Sequence, residues 1–170
     1  MKAVSFTTLV VLFSTLISHA QSGYQVVVDS ADGYSRILKG EITNDELTFY
    51  DWYLPNQKSY TTIDKVAIDG LKLNSQNVNL VVFGGTWDAS SQTVIPQFFK
   101  LISESGFPGG RIVMYGVDRN MKTEGSLARD YNISRVPTII VMKDGKEIGR
   151  VVEFGESGKW DKDFGKLFLE

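Results

Sequence analysis

The sequence predicts a three-layer α/β sandwich with a mixed central sheet, and three observations carry that prediction. "VNLVVFGG" (Val78–Gly85) and "RIVMYGVD" (Arg111–Asp118) are short, largely apolar runs separated by the amphipathic stretch Ala89–Glu104. Strand, helix and strand in that order close as a right-handed parallel crossover. "PTIIVMKDGKEIGRVVEF" (Pro137–Phe154) then sets two strand-like runs around Asp144-Gly145, the residues that a tight hairpin turn prefers. The hairpin adds antiparallel strands to the parallel pair, and helices must cover both faces of the resulting sheet.

The elements follow in chain order. Met1–Ala20 has a short basic start at Lys2, a mostly apolar Val4–Ile17, and the small residues Ser18 and Ala20 at the −3 and −1 positions. That is the pattern of a secretory signal peptide cut after Ala20. The apolar run is shorter than the roughly 18–20 residues that a span needs; the alternative is a retained helical anchor. The expected domains are therefore a signal peptide over residues 1–20, an N-terminal extension with a short helix over 21–60, and a folded domain over 61–170. "VVVDSADGYSRIL" fits two short strands about an Asp-Gly turn. Thr43 and Glu46 stand at capping-box spacing and predict a helix from about Asn44 to Tyr53, ended by Pro55 and Asn56. A second helix is expected over Ile63–Leu71, with Ile63, Val66, Ala67 and Leu71 on one stripe. In the Ala89–Glu104 helix, Val94, Ile95, Phe98, Phe99, Leu101 and Ile102 make a wide apolar face, Pro96 introduces a kink, and Gly106 terminates it. A short helix around Gly125–Tyr131 and a last one over Lys159–Leu169 complete the chain. The latter carries Trp160, Phe164, Leu167 and Phe168 on its inner face.

Composition excludes more than it suggests. The formal net charge is −2, with no basic footprint for nucleic acid or anionic membrane. Cysteine is absent, and the single histidine, His19, lies in the expected leader. Beyond the leader this removes Ser-His and Cys-His nucleophile pairs, imidazole or thiolate zinc sites, disulfides, and imidazole acid–base work. No metal and no cofactor is expected. After removal of the leader no membrane insertion is expected either.

Two stretches carry a resemblance. "FGGTWDASSQTVIPQF" and "ARDYNISRVPTIIVMKDGKEIGR" resemble the thioredoxin superfamily over roughly Thr61–Glu170. The Val-Pro-Thr step leading into a Lys-Asp-Gly hairpin is the more specific part, and the resemblance implies that Pro137 is the family's cis-proline. Pro96 matches the proline of the family's active-site helix, and Glu41–Tyr60 its helical lead-in. "GFPGGRIVMYGVDRNMKT" and "IGRVVEF" look similar to secreted bacterial members. The resemblance implies a thioredoxin-like α/β/α sandwich.

At the family's centre the sequence departs. The resemblance implies Cys-x-x-Cys after Trp87, and here Asp88-Ala89-Ser90-Ser91 follows; the buried acid of many members corresponds to Val82. A helix N-terminus favours an anion. Asp88 supplies one, as an N-cap or as a binding or catalytic carboxylate. A carboxylate does not carry out thiol–disulfide exchange, which needs sulfur. The degenerate site is thus Trp87, Asp88, Ala89, Ser90 and Ser91, with no catalytic residue assigned.

Other candidates are weaker. Ser90 and Ser91 have no histidine to act as base; Lys100 lies on the same helix. Asp118, Asn120 and Glu124 fall in a loop whose Lys122 breaks the calcium-loop pattern. Asp161 and Asp163 read as first-turn acids of the last helix. Asn132-Ile133-Ser134 is a formal glycosylation acceptor. Tyr50, Trp52 and Tyr53 form either an aromatic contact surface or the docking face of a helix.

The expected function is that of an exported, periplasmic or secreted, redox-inactive thioredoxin-like protein. It would bind an extended peptide or partner protein beside Trp87, Asp88, Val136 and Pro137, through main-chain pairing that needs no thiol. The alternatives are a thiol–disulfide oxidoreductase of cell redox homeostasis, by family, and a carboxylate-based enzyme.

Overall fold

The chain, in a computed structural model that describes residues 23–169, begins with an antiparallel pair. β1 (Tyr24–Val28) pairs with β2 (Arg36–Ile42), Val26 opposite Leu38. The connection is longer than a tight turn. The Asp32 carboxylate accepts from the Tyr34 and Ser35 amides at 2.9 and 2.8 Å, and Gly33 takes φ 75°. The leader expected over residues 1–20 lies outside the described residues.

The single helix expected over Asn44–Tyr53 is two helices. α1 (Asn44–Leu47) carries the expected capping box of Thr43 and Glu46. The chain then breaks and restarts as α2 (Tyr53–Ser59). The reason is the Tyr53 hydroxyl, which donates to the Asn44 side chain. Nine residues along one helix are about two and a half turns, which would put these two groups on opposite faces. Pro55 does not end a helix but lies in the first turn of α2, where a missing N–H costs nothing.

α3 (Lys65–Asn74) starts two residues later than expected because Asp64 caps it, its carboxylate accepting from the Ala67 amide at 3.0 Å. β3 (Val78–Gly84), α4 (Ala89–Ser105), a 3-10 turn at Gly109–Arg111 and β4 (Ile112–Gly116) form the expected crossover. Gly106 ends α4 in the left-handed conformation, φ 68°. α5 (Leu127–Asp130) precedes β5 (Thr138–Lys143) and β6 (Lys146–Val152). Between these strands Asp144 and Gly145 have φ 51° and 74°, the double positive φ of the hairpin turn their sequence prefers. α6 (Trp160–Lys166) closes the chain.

The sheet order is β1-β2-β4-β3-β5-β6, with β3 and β4 parallel and every other neighbouring pair antiparallel. It is the mixed sheet of a thioredoxin-like sandwich, with helices on both sides. Alternation along β3 builds the two cores. Leu80 and Val82 face a large cluster with Tyr53, Leu71, Phe98, Trp160 and Phe164. Val81 and Phe83 face a smaller one with Ala128, Ile133, Val136 and Ile140. Gly165 permits the close crossing of α6 over α3, since a Cβ there would lie 2.7 Å from the Ala67 nitrogen.

Candidate functional site

The site forms where β3 leaves the sheet and the chain turns into α4. Each residue of the turn is fixed by a bond that its neighbours dictate. The Thr86 hydroxyl accepts from the Leu38 amide at 3.3 Å, and its carbonyl accepts from the Gln92 side chain at 2.8 Å. The Trp87 indole N–H donates to the Val117 carbonyl at 2.9 Å, which anchors the ring to the loop after β4. The Asp88 amide donates to the Gly85 carbonyl at 3.0 Å, leaving the residue extended at φ −100°.

Asp88 is the N-cap of α4. Its carboxylate accepts from the Ser91 amide at 2.7 Å, satisfying one of the donors that a helix start leaves unpaired. Its other oxygen has no protein donor among the described residues. Ser91 is buried, 1% exposed, and its hydroxyl accepts from the Gly85 amide at 3.1 Å. That hydroxyl therefore braces the turn from inside and faces no substrate. Ala89 is exposed and Ser90 half-buried.

Pro137 borders the same turn. β3 and β5 pair up to Phe83 opposite Thr138, so the next step outward sets Pro137 level with Gly84. The Val136–Pro137 bond is cis. Val136 is buried in the smaller core, against which Trp87 packs. The Pro137 carbonyl accepts from the Glu153 amide at 2.7 Å, and Glu153 pairs with Arg135 at 2.8 Å. Trp87, Asp88, Val136 and Pro137, expected together from the sequence, thus meet at one end of the sheet.

Sequence reasoning missed Asp29 and Arg119. Arg119 donates from Nε and Nη2 to the two oxygens of Asp29 at 2.6 and 2.8 Å, and its guanidinium lies 4.8 Å from the centre of the Trp87 ring. Asp29 is 2% exposed. The bond from Arg119 holds its carboxyl below the usual range, and the Asp29 bond raises Arg119 in turn. The residues are 90 positions apart, and nothing local in the sequence marks either one.

The weaker candidates disperse. Lys100 donates to the Tyr60 carbonyl at 2.7 Å. Asp118 pairs with Lys39 at 2.9 Å and accepts from the Asn120 and Lys122 amides, so it braces its own loop and ties it to β2. Asp161 is more than a first-turn acid: it accepts from the Tyr60 hydroxyl at 2.5 Å and the Asp64 amide at 3.0 Å, tying α6 to the start of α3. Tyr53 is buried, and Tyr50 and Trp52 pack on the large core, which is the docking arrangement. Among the described residues no three His, Cys, Asp or Glu side chains gather as a metal site requires.

The arrangement offers a fixed carboxylate, an aromatic ring and a strand end, without thiolate or imidazole. Residues 65–161 match the family model described as Thioredoxin. Mitochondrial thioredoxin-3 of Saccharomyces cerevisiae is 31% identical over 99 residues, which cover 56% of this chain and 73% of that protein. Thioredoxin of Mycolicibacterium smegmatis is 30% identical over 87 residues, covering 51% and 73%. Among solved structures, the reduced thioredoxin pre-protein of Schistosoma mansoni shares 32% identity, covers 62% of this chain and 91% of its own, and has a TM-score of 0.41.

Proposed function

The chain belongs to the thioredoxin family, and from that premise we propose that it is a redox-inactive member. We infer that it binds an extended peptide or partner protein beside Trp87, Asp88, Val136 and Pro137. The observation that carries the reading is the bond from the Ser91 amide to the Asp88 carboxylate. It puts a fixed anion at the helix start, where a redox-active relative would hold its thiolate. Charge is retained there and nucleophilic sulfur is not, so exchange chemistry has no first step. Binding has lost less. A strand end at Pro137, flanked by an aromatic ring, offers main-chain pairing and a wall for side chains. The leader pattern of Met1–Ala20 supports export, to a periplasm or the exterior.

The test has two arms. The purified protein should show no insulin-type disulfide reduction above a protein-free control. A phage-displayed library of extended peptides should yield binders whose affinity falls on Trp87→Ala. Measurable reductase activity would overturn the redox-inactive assignment, and binders indifferent to Trp87→Ala would overturn the assigned groove.

A further inference from the structure

We propose that the open edge of the sheet at β1 docks a second copy of this chain, the two β1 strands pairing antiparallel about a two-fold axis. β1 is the first strand in the sheet order, so one of its sides has no neighbour. Which groups face that side follows from the bonds on the other. The Asp29 amide donates to the Ser35 carbonyl at 2.7 Å, and the Gly23 carbonyl accepts from the Glu41 amide at 2.7 Å. Backbone groups alternate sides along an antiparallel strand. Gln25 and Val27 therefore also face β2, and Val26 and Val28 turn their N–H and C=O groups outward. The Leu38 amide, opposite Val26, agrees: it points away from β1, to the Thr86 hydroxyl. Among the described residues no bond from another element reaches the Val26 or Val28 backbone.

The two edges of the sheet are protected differently. β6, at the far edge, carries Lys146, Glu147 and Arg150 and has a register shift against β5. Charge and bulges both discourage a further strand from adding there. β1 is Tyr-Gln-Val-Val-Val, with no charge, no proline and an unbroken register against β2. Val26 and Val28 are 50% and 64% exposed. Leu38, opposite Val26, belongs to the large core, so both valines lie on that face of the sheet, yet the helices leave them uncovered.

A copy of the same strand meets each demand of this edge. With Val26 opposite the second copy's Val28, and Val28 opposite its Val26, each pair exchanges both of its N–H···O bonds. The exposed valines then cover one another on one face, and Val27 meets its own counterpart on the other. Neither strand carries a charge, so the approach meets no repulsion along the ladder. Pairing β1 with β1 consumes the unprotected edge of both copies, and assembly closes at two. Two five-residue strands bury less than the roughly 1,200 Å² of a standard interface, which places the dimer in the weak, micromolar class.

Sedimentation velocity over the micromolar range should show a monomer–dimer equilibrium. Val26→Lys with Val28→Lys sets like charges opposite each other and should weaken the dimer about tenfold or more. Val26→Glu with Val28→Glu should do the same, and mixing the two variants at low salt should restore a dimer. Both positions are exposed, so thermal midpoints should stay close to that of the wild type, which checks that the variants are folded. Register is read with sulfur, since the chain has no cysteine of its own. In Val27→Cys the introduced thiols face each other with Cα atoms about 4.5 Å apart, within reach of a disulfide. Mild oxidation should link the two copies there, and should not link Ile148→Cys on β6. A wild-type chain that stays monomeric throughout, a dimer unmoved by the lysines, or association that runs on past two copies would each overturn the proposal. A lysine-sensitive dimer without the Val27→Cys link would overturn the stated register.

Discussion

Arg119 lies over the ring of Trp87 while both of its bonding nitrogens are held by Asp29. The two bonds fix the plane of the guanidinium, so the ring is covered by a cation that cannot swing away. Asp29 directly follows β1, so the N-terminal hairpin, which lies outside the matched family region, reaches the site through this side chain as well as through the Leu38 amide bonded to Thr86.

From this follows a ranking for Arg119. Arg119→Ala should shift Trp87 emission and lower the thermal midpoint, because it uncovers the ring and strands a carboxylate that is 2% exposed. Arg119→Lys should recover part of the midpoint but little of the emission shift, since an ammonium lacks the planar fork. Arg135→Ala, which breaks a pair exposed at 64% and 35%, should leave both readouts nearly unchanged. Equal effects of the Arg119 and Arg135 changes would show that the contact over Trp87 has no energetic weight.

The legibility of the site differs sharply along these lines. Trp87 to Ser91 and Val136-Pro137 were readable because each lies in one continuous stretch that carries the family resemblance. The hairpin at Asp144-Gly145 was readable from its local turn signal. Asp29 with Arg119, and Asp161 with Tyr60, pair across 90 and 101 positions, and an isolated Asp or Arg in a loop gives no periodic signal. The break between α1 and α2 was hidden by a capping box that correctly marked where a helix starts but not how far it runs. What ends α1 is Tyr53 turning back to Asn44, a tertiary demand that overrides propensity.

Acid should reveal a second tie. Asp163 is pulled from 3.8 to about 2, first by its bond from Lys166; burial opposes this, and the bond from the Ser157 amide adds to the lowering. A depressed carboxyl contributes stability that is present above its unfolded value and lost as pH falls through its folded value. Asp163→Asn should therefore be less stable than the wild type by a constant margin above pH 3.8, and the margin should close between 3.8 and about 2. Urea midpoints of the two proteins, measured down that range, check it. A margin that is unchanged at the acid end would mean that the contribution is steric rather than ionic.

Packing at the crossing of α3 and α6 gives a prediction of larger size. A methyl at Gly165 would meet the Ala67 nitrogen at 2.7 Å and the Val66 carbonyl carbon at 3.1 Å, and both belong to backbone that cannot step aside alone. Gly165→Ala should cost about 1–3 kcal/mol, although alanine is the better helix former. Gly109→Ala, where nothing lies within 4 Å, should cost far less. Chemical denaturation of the pair separates a helix-propensity effect, which would favour both, from an overpacking effect confined to Gly165.

The final prediction concerns restoring sulfur to the turn. Asp88→Ala alone should cost about 1 kcal/mol as a lost N-cap and should create no activity. Asp88→Cys with Ser91→Cys places a thiol at each end of the bond that now joins the Asp88 carboxylate to the Ser91 amide. The first thiol inherits the unpaired donors of α4, which should lower its pKa below the roughly 8.5 of a free cysteine. The second replaces a hydroxyl that is 1% exposed, and it loses that hydroxyl's bond from the Gly85 amide, so some stability goes with it. Val82 is fully buried and has no proton to relay, and turnover should stay slow. Thiol titration after mild oxidation should find the pair closed into a disulfide, with insulin reduction detectable in the double variant and absent in either single one. Two thiols that stay reduced in a folded protein would show that the turn from Asp88 to Ser91 has been reshaped beyond its family's geometry, and the peptide groove would then need a different anchor than Pro137.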